Sequence, residues 1–184
     1  SVRDRRLSRA ALGALCVGTL GVVASALRRM DLYVEAFGLT RLRLFVALVE
    51  VVMAAVLVLV MVAGVRWRSH WLPRAVVQVV AVAVLALALV NPDAQILRHN
   101  TTADLGPALD VTYLQDLSAD AVPAMAGLAE PLQSCLLARV NIDPPQGLAD
   151  WNLGRYRAAQ VVAATAPLDP VNASVCRQYG LRTY

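Results

Sequence analysis

Three long apolar segments fill most of the first half of the chain. They run from Ala10 to Leu27, from Leu44 to Val65, and from Trp71 or Ala75 to Val90. A helix needs about 20 apolar residues to cross about 30 Å of hydrocarbon. The second segment has this length by itself, and the other two reach it with their flanking residues. Since unpaired strand backbone is too costly in lipid, the pattern predicts three transmembrane helices, at about 10–27, 44–65 and 71–90.

The first segment has a second interpretation, as a secretion signal. Arg5 and Arg6, followed by Leu7 and Ser8, resemble a twin-arginine signal, and Ala24–Ala26 resembles a cleavage site. The apolar stretch is long for a signal, however, and two further apolar segments follow it. We therefore expect it to be retained as a membrane span.

Polar residues and turn formers follow the third segment, beginning with Asn91, Pro92 and Asp93. The sequence thus predicts two domains, a transmembrane domain over 1–91 and a small helical domain over 92–184. Helix-start and helix-stop signals in the second domain predict four helices. They run from Asp110 to Leu117, from Ser118 or Asp120 onwards, from Pro131 to about Arg139, and from Asp150 to Ala166. The predicted fold class is an all-α integral membrane protein, with three transmembrane helices followed by a small helical extracytoplasmic domain.

Composition and charge agree with a membrane protein. Hydrophobic residues make up 58% of the chain and charged residues 16%, against about 45–50% and about 25% in soluble domains. The 17 basic residues are all arginine and give a net charge of +4. They lie mainly at the ends of the apolar segments, so they indicate membrane borders and not a nucleic-acid partner.

The arginines also predict an orientation, because cytoplasmic loops carry an excess of basic residues. With the N-terminus in the cytoplasm, seven arginines lie inside and four outside. The inner set is Arg3, Arg5, Arg6, Arg9, Arg66, Arg68 and Arg74, and the outer set is Arg28, Arg29, Arg41 and Arg43. The third helix then places residues 92–184 outside the cytoplasm, in a multi-pass protein of the cell membrane.

Two of the three cysteines, Cys135 and Cys176, lie in the C-terminal domain, whereas Cys16 lies in the first span. Two cysteines in a small exported domain can form a disulfide, which stabilises by about 2–4 kcal/mol. The alternative is a pair of buried free thiols. We expect the disulfide.

Small residues repeat along the first span. Ala10, Ala14 and Gly18 are spaced by four, and Gly21 and Ser25 continue the spacing on an adjacent row. Such faces let helix backbones approach closely in lipid, so these residues are a predicted helix-packing face.

Glu50 and Gln78 are the strongly polar residues within the second and third apolar segments. A carboxylate in lipid is costly and must be neutral, paired, or turned towards water or protein. The functional interpretation of this candidate polar site is a proton- or ion-linked step. The structural interpretation, a hydrogen bond to another span with Arg41 or Arg43 reaching towards Glu50, is favoured because proton pathways recruit several polar groups.

The segment between the first two spans predicts either a short amphipathic surface helix or a solvated hairpin. Met30, Val34 and Phe37 share one helical face, Gly38 is a stop, and Thr40 can cap the second span.

Motifs of enzymes are absent from the sequence. There is no phosphate-binding G-x-x-x-x-G-K-[ST] loop, no G-x-G-x-x-G fingerprint and no G-x-S-x-G elbow. The two histidines, His70 and His99, fall on opposite sides of the membrane in the predicted topology. No catalytic, metal or cofactor site is therefore predicted.

Several stretches together resemble one family. They are LYVEAFGLTRLRL (32–44), NPDAQILRHN (91–100), LDVTYLQDLSADAVPA (109–124) and, later, WNLGRYRA (151–158). In this order they resemble a bacterial multi-pass membrane family of unknown function, domain-of-unknown-function family four-one-seven-three, related to family four-one-five-three. The resemblance covers about residues 20–160. It implies that the chain is the C-terminal half of such a protein, or a short member, and it implies no reaction.

These observations favour a non-catalytic scaffold or accessory subunit of a larger bacterial envelope complex, in contact with the lipid bilayer and other membrane subunits. The alternative is a transporter or sensor module that uses Glu50. A third possibility is an envelope enzyme built on the aspartates of the C-terminal domain. It requires Asp116 or Asp120 to face an open cleft.

Overall fold

The computed structural model describes residues 2–66, 69–103, 109–138, 140–144, 147, 149–165 and 174–176, with side chains of the first range from residue 6 to residue 65. All regular structure in these residues is helical. The helices are α1 (Val2–Phe37), α2 (Arg41–Arg66), α3 (Leu72–Val90), α4 (Pro92–Thr102), α5 (Val111–Gln115), α6 (Val122–Met125), α7 (Leu132–Leu137) and α8 (Leu153–Ala164), and a 3₁₀ turn (Ala119–Ala121) precedes α6.

The chain divides into two compact units, a membrane unit (Ser1–Val90) and a C-terminal unit (Asn91–Tyr184). The membrane unit has three helices that are long and apolar enough to cross a bilayer, within Arg6–Phe37, Arg41–Val65 and Leu72–Val90. Almost none of their side chains are buried inside the protein. A helix that is apolar on all sides requires lipid or other helices around it. The three predicted spans are thus confirmed, and the protein is a membrane protein.

The segment after the first span does not form a separate surface helix. Helix α1 continues without a break to Phe37, because neither glycine nor proline occurs between Val22 and Phe37 to interrupt its hydrogen bonds. Gly38 ends α1 with φ of 75°, and its N–H donates to the Val34 carbonyl at 2.9 Å. The expected stop at Gly38 is confirmed, and both proposed forms of the segment, a separate helix and a solvated hairpin, are replaced by one long helix.

The turn between α1 and α2 is held by side chains on both sides. The Thr40 hydroxyl accepts the Arg43 backbone N–H at 3.3 Å, as expected for a cap of the second span. The Arg43 guanidinium donates to the carbonyls of Phe37 and Gly38. Arg43 therefore satisfies carbonyls at the C-terminus of α1, which otherwise lack partners, and does not extend towards Glu50.

Gly38→Ala is expected to destabilise the membrane unit by about 1 kcal/mol, because a side chain in the left-handed region crowds the following carbonyl. Thermal unfolding of the purified protein in detergent measures the change. Gly18→Ala is the control, since a Cβ there meets no atom within 4 Å. If both variants unfolded at the wild-type temperature, the strained turn would contribute nothing to stability.

Helix α4 forms the centre of the C-terminal unit, and the sequence did not predict it. Ile96 and Leu97 of α4 are fully buried, as are Leu114, Met125 and Leu136. The other helices agree in part with the prediction. Helix α5 follows Asp110, which accepts the Tyr113 N–H, but ends at Gln115. Helix α7 follows Pro131, and α8 begins at Leu153, three residues later than predicted. The predicted helix ends at Arg139 and Ala166 lie outside the described residues.

Candidate functional site

Glu50 lies on the face of α2 that packs on α1. By helical spacing it shares a row with Met61 and Gly64, and these two residues line a groove against Gly13 and Cys16 of α1. Its Oε2 atom is buried and lacks a hydrogen-bond partner among the described residues. The carboxyl group therefore has a buried oxygen that makes no hydrogen bond within the described residues.

The depth of Glu50 in the hairpin follows from the length of α1. Arg28 lies nine residues before Phe37, and Glu50 lies nine residues after Arg41. At 1.5 Å per residue, both are about 13.5 Å from the turn. Glu50 thus lies level with the exposed pair Arg28 and Arg29. The carboxyl group therefore lies at the level where α1 carries its exposed arginine pair.

Gln78 does not join Glu50 in one site. It is exposed on the outer side of α3, six residues from the start of that helix at Leu72. Glu50 is sixteen residues from the end of α2 at Arg66. Because α2 and α3 are antiparallel neighbours, the two residues differ in level by ten residues, or about 15 Å. The candidate polar site from the sequence is therefore two separate positions.

Within the described part of the membrane unit, the predicted packing face of α1 lies off the contact with α2. Its five residues are all exposed: Ala10, Ala14, Gly18, Gly21 and Ser25. The face that packs on α2 instead contains Gly13, Cys16 and the buried Val23. On a helical projection of 100° per residue, the small-residue row lies almost opposite this contact. It remains open to lipid or to helices from outside the chain.

In the C-terminal unit, the stretches that carried the family resemblance bind one another. Asn91 begins α4 with φ of 52°, and its side-chain oxygen accepts the Ala94 N–H. Its side-chain nitrogen donates to the Asp120 carbonyl at 2.8 Å. Buried Asp93 accepts the Ser118 N–H at 2.8 Å through Oδ2. Two hydrogen bonds thus join 91–100 to 109–124, and we call this arrangement the clasp.

The last of these stretches, 151–158, contacts Asp120 of the clasp through Gly154. A Cβ at this position would lie 1.7 Å from Oδ1 of Asp120, so glycine leaves room for the carboxyl group beside the first turn of α8. A negative charge at a helix N-terminus is favourable. Asn152 caps the same turn by accepting the Arg155 N–H, and Arg155 also pairs with Asp150 at 2.6 Å. The Asp120 carboxyl group therefore lies against the first turn of α8.

An open cavity of about 590 Å³ lies beside the first turn of α8. Its charged lining residues are Asp143, Asp150 and Arg155. Asp116 and Asp120, on which an enzyme would depend, are exposed and are not among the residues that line this cavity. An envelope enzyme built on these aspartates stays a hypothesis. Among the described residues there is also no group of three or more potential metal ligands.

A disulfide joins Cys135 and Cys176, as the sequence predicted, with the Cα atoms 5.4 Å apart. Both cysteines are buried, and the bridge connects residues 41 positions apart. It attaches the segment at 174–176 to helix α7. Cys16 in the membrane unit is free.

Comparison with known proteins gives one match. Residues 1–128 match the family described as Domain of unknown function (DUF4153). These residues include all three spans and the clasp, but not 151–158. The match is to the family that the sequence resemblance gave as a relative, whereas membership of family four-one-seven-three and a position as a C-terminal half stay predictions. No curated protein and no solved structure matches the chain.

Proposed function

Because the chain belongs to the DUF4153 family of unknown function, we propose its role from the geometry of its membrane unit. The protein is a non-catalytic scaffold or accessory subunit that packs against further transmembrane helices in a complex of the cell envelope. One observation carries this proposal: the small-residue row of α1 is exposed and lies off the face that packs on α2.

The row suits a helix partner better than lipid. Lipid tails are as apolar as leucine, so helices in a bilayer associate through close backbone packing and interhelical hydrogen bonds. A Cβ on Gly18 or Gly21 would meet no atom of this chain within 4 Å, so the backbone of α1 is accessible there. Exposed Gln78 supports the same conclusion from α3, because an amide in lipid is best satisfied by a neighbouring helix.

The orientation forms part of the proposal. Three crossings put the N-terminus and the C-terminal unit on opposite sides of the membrane. The arginine excess favours a cytoplasmic N-terminus. The Cys135–Cys176 disulfide supports an extracytoplasmic C-terminal unit, because disulfides persist in oxidising compartments.

Photo-crosslinking in native membranes tests the proposed packing face. A photoreactive phenylalanine analogue replaces Gly18, on the small-residue row, or Leu15, which is 67% exposed but lies off that row. Position 18 is expected to give discrete protein adducts, several-fold more than position 15, because only the small-residue row approaches another backbone. Mass spectrometry of the adducts identifies the partner helix.

Equal adduct yields from both positions, or lipid adducts alone, would contradict the subunit proposal. A partner that belongs to a longer form of the same chain and a partner from another chain both support packing on this face. The peptides in the adduct distinguish these two sources.

A transporter or sensor module is the second candidate, and buried Oε2 of Glu50 favours it. Proton movement requires several polar groups in a row. Glu50 lies level with Arg28 and about 15 Å from Gln78 along the helices, so these two polar residues do not form such a row. Proton flux into vesicles with the purified monomer, compared between wild type and Glu50→Gln, tests this candidate. Flux that the variant abolishes would favour it over the subunit proposal.

A further inference from the structure

A narrow apolar groove of about 300 Å³ lies between α1 and α2, at the end of the hairpin far from the Gly38 turn. Gly13 and Cys16 form one wall, and Met61 and Gly64 form the other. The groove exists because two glycines face each other across the helix contact. A Cβ on Gly13 or on Gly64 would meet no atom within 4 Å.

The groove is a small apolar slot of about 300 Å³ between two helices. A single extended chain fits such a slot between two helices. In a bilayer, acyl chains surround the helices on every side.

A positively charged residue lies at the rim of this apolar groove. Arg9 lines the groove together with the apolar residues. The antiparallel order of the helices brings the start of α1, the end of α2 and the start of α3 to the same end of the unit. Exposed Arg6 and Arg74 also lie at this end.

The geometry points to a binding site for an anionic phospholipid. One acyl chain lies in the groove between Gly13 and Gly64, and Arg9 contacts the phosphate of the headgroup. Basic pockets between transmembrane helices are suited to anionic headgroups, and each arginine near the surface contributes about a fivefold gain in affinity. Phosphate alone would gain nothing from the apolar walls, so the proposed occupant is the whole phospholipid.

Native mass spectrometry of the detergent-purified chain tests this site. Phosphatidylglycerol and phosphatidylcholine with identical acyl chains are added separately. Wild type is expected to retain one phosphatidylglycerol, about fivefold more tightly than phosphatidylcholine. Arg9→Gln is expected to remove this preference, whereas Arg28→Gln, near the other end of α1, keeps it.

Filling the groove tests the acyl-chain half of the proposal. Gly13→Leu and Gly64→Leu are expected to lose the retained lipid of both kinds, because leucine occupies the slot. Ala11→Leu adds a similar side chain at the same depth on an exposed position and is expected to bind as wild type does. Circular dichroism and elution volume establish that each variant is folded.

Equal retention of both lipids by wild type would overturn the proposal. Retention of phosphatidylglycerol by Gly13→Leu or Gly64→Leu would also overturn the proposal, since the lipid would then bind outside the groove.

Discussion

Replacing Cys135 with serine is expected to lower the free energy of unfolding of the C-terminal unit by about 2–4 kcal/mol. The disulfide closes a segment of 41 positions, so its loss gives the unfolded chain much more conformational freedom. The unit is small, and a loss of this size is a large fraction of the stability of a small domain. Denaturant titration in detergent, followed by the fluorescence of Trp151 in a chain that also carries Trp67→Phe and Trp71→Phe, measures the effect.

Cys16→Ser is the matched control, because Cys16 is free and lies in the membrane unit. A reductant should lower the unfolding midpoint of wild type and leave that of a Cys135→Ser, Cys176→Ser double variant unchanged. If reduction affected neither protein, the bridge would be absent or without energetic effect.

Asp93→Ala is the second change with a large expected effect, about 1.5–3 kcal/mol of lost stability, the range for a hydrogen bond to a charged group. Asp93 is 7% exposed, and its carboxyl group accepts the Ser118 N–H at the start of the 3₁₀ turn. Alanine leaves that partly buried donor without its partner and opens one half of the clasp. The same denaturant titration measures the loss, and hydrogen exchange at Ser118 locates it.

Two variants make this second prediction specific. Asp93→Asn keeps an acceptor oxygen and is expected to lose less stability than Asp93→Ala. Asp143→Ala removes an exposed carboxyl group from the same unit and should stay within about 0.5 kcal/mol of wild type. Equal losses for Asp93→Ala and Asp143→Ala would mean that the clasp does not stabilise the unit.

The three spans could be predicted because lipid imposes a simple length rule on apolar residues. The continuity of α1 beyond Leu27 could not be predicted from that rule, because hydropathy falls at Arg28 while helix propensity does not. Whether α1 is continuous beyond Leu27 determines the level of Glu50 relative to α1. A separate surface segment leaves its depth open, whereas a continuous helix places it level with Arg28.

The start of helix α4 has a sequence signal that fits both a turn and a helix cap. Asn91 and Pro92 indicate a turn, and they are equally typical of a helix cap followed by proline at the first helical position. The apolar signal is short, with Ile96 and Leu97 between polar residues. Burial of Asp93 could not be anticipated, since its partner Ser118 lies 25 positions further along the chain.

The small residues of α1 were recognised, but not which of them contact α2. The sequence contains two small faces, one with Gly13 and one with Gly18, and spacing alone does not rank them. The Gly38 turn determines which face meets α2. The other face is left for the partner that the proposed function requires.

We expect the chain to cross the membrane three times, with its C-terminal unit on the side opposite the α2–α3 turn. Single cysteines at Gln95 and at Ser69, both exposed positions, are introduced separately into a Cys16→Ser chain and treated in intact cells with a membrane-impermeant maleimide. We predict labelling at position 95 in intact cells and at position 69 only after permeabilisation. Labelling of both positions in intact cells, or of position 69 alone, would contradict the account.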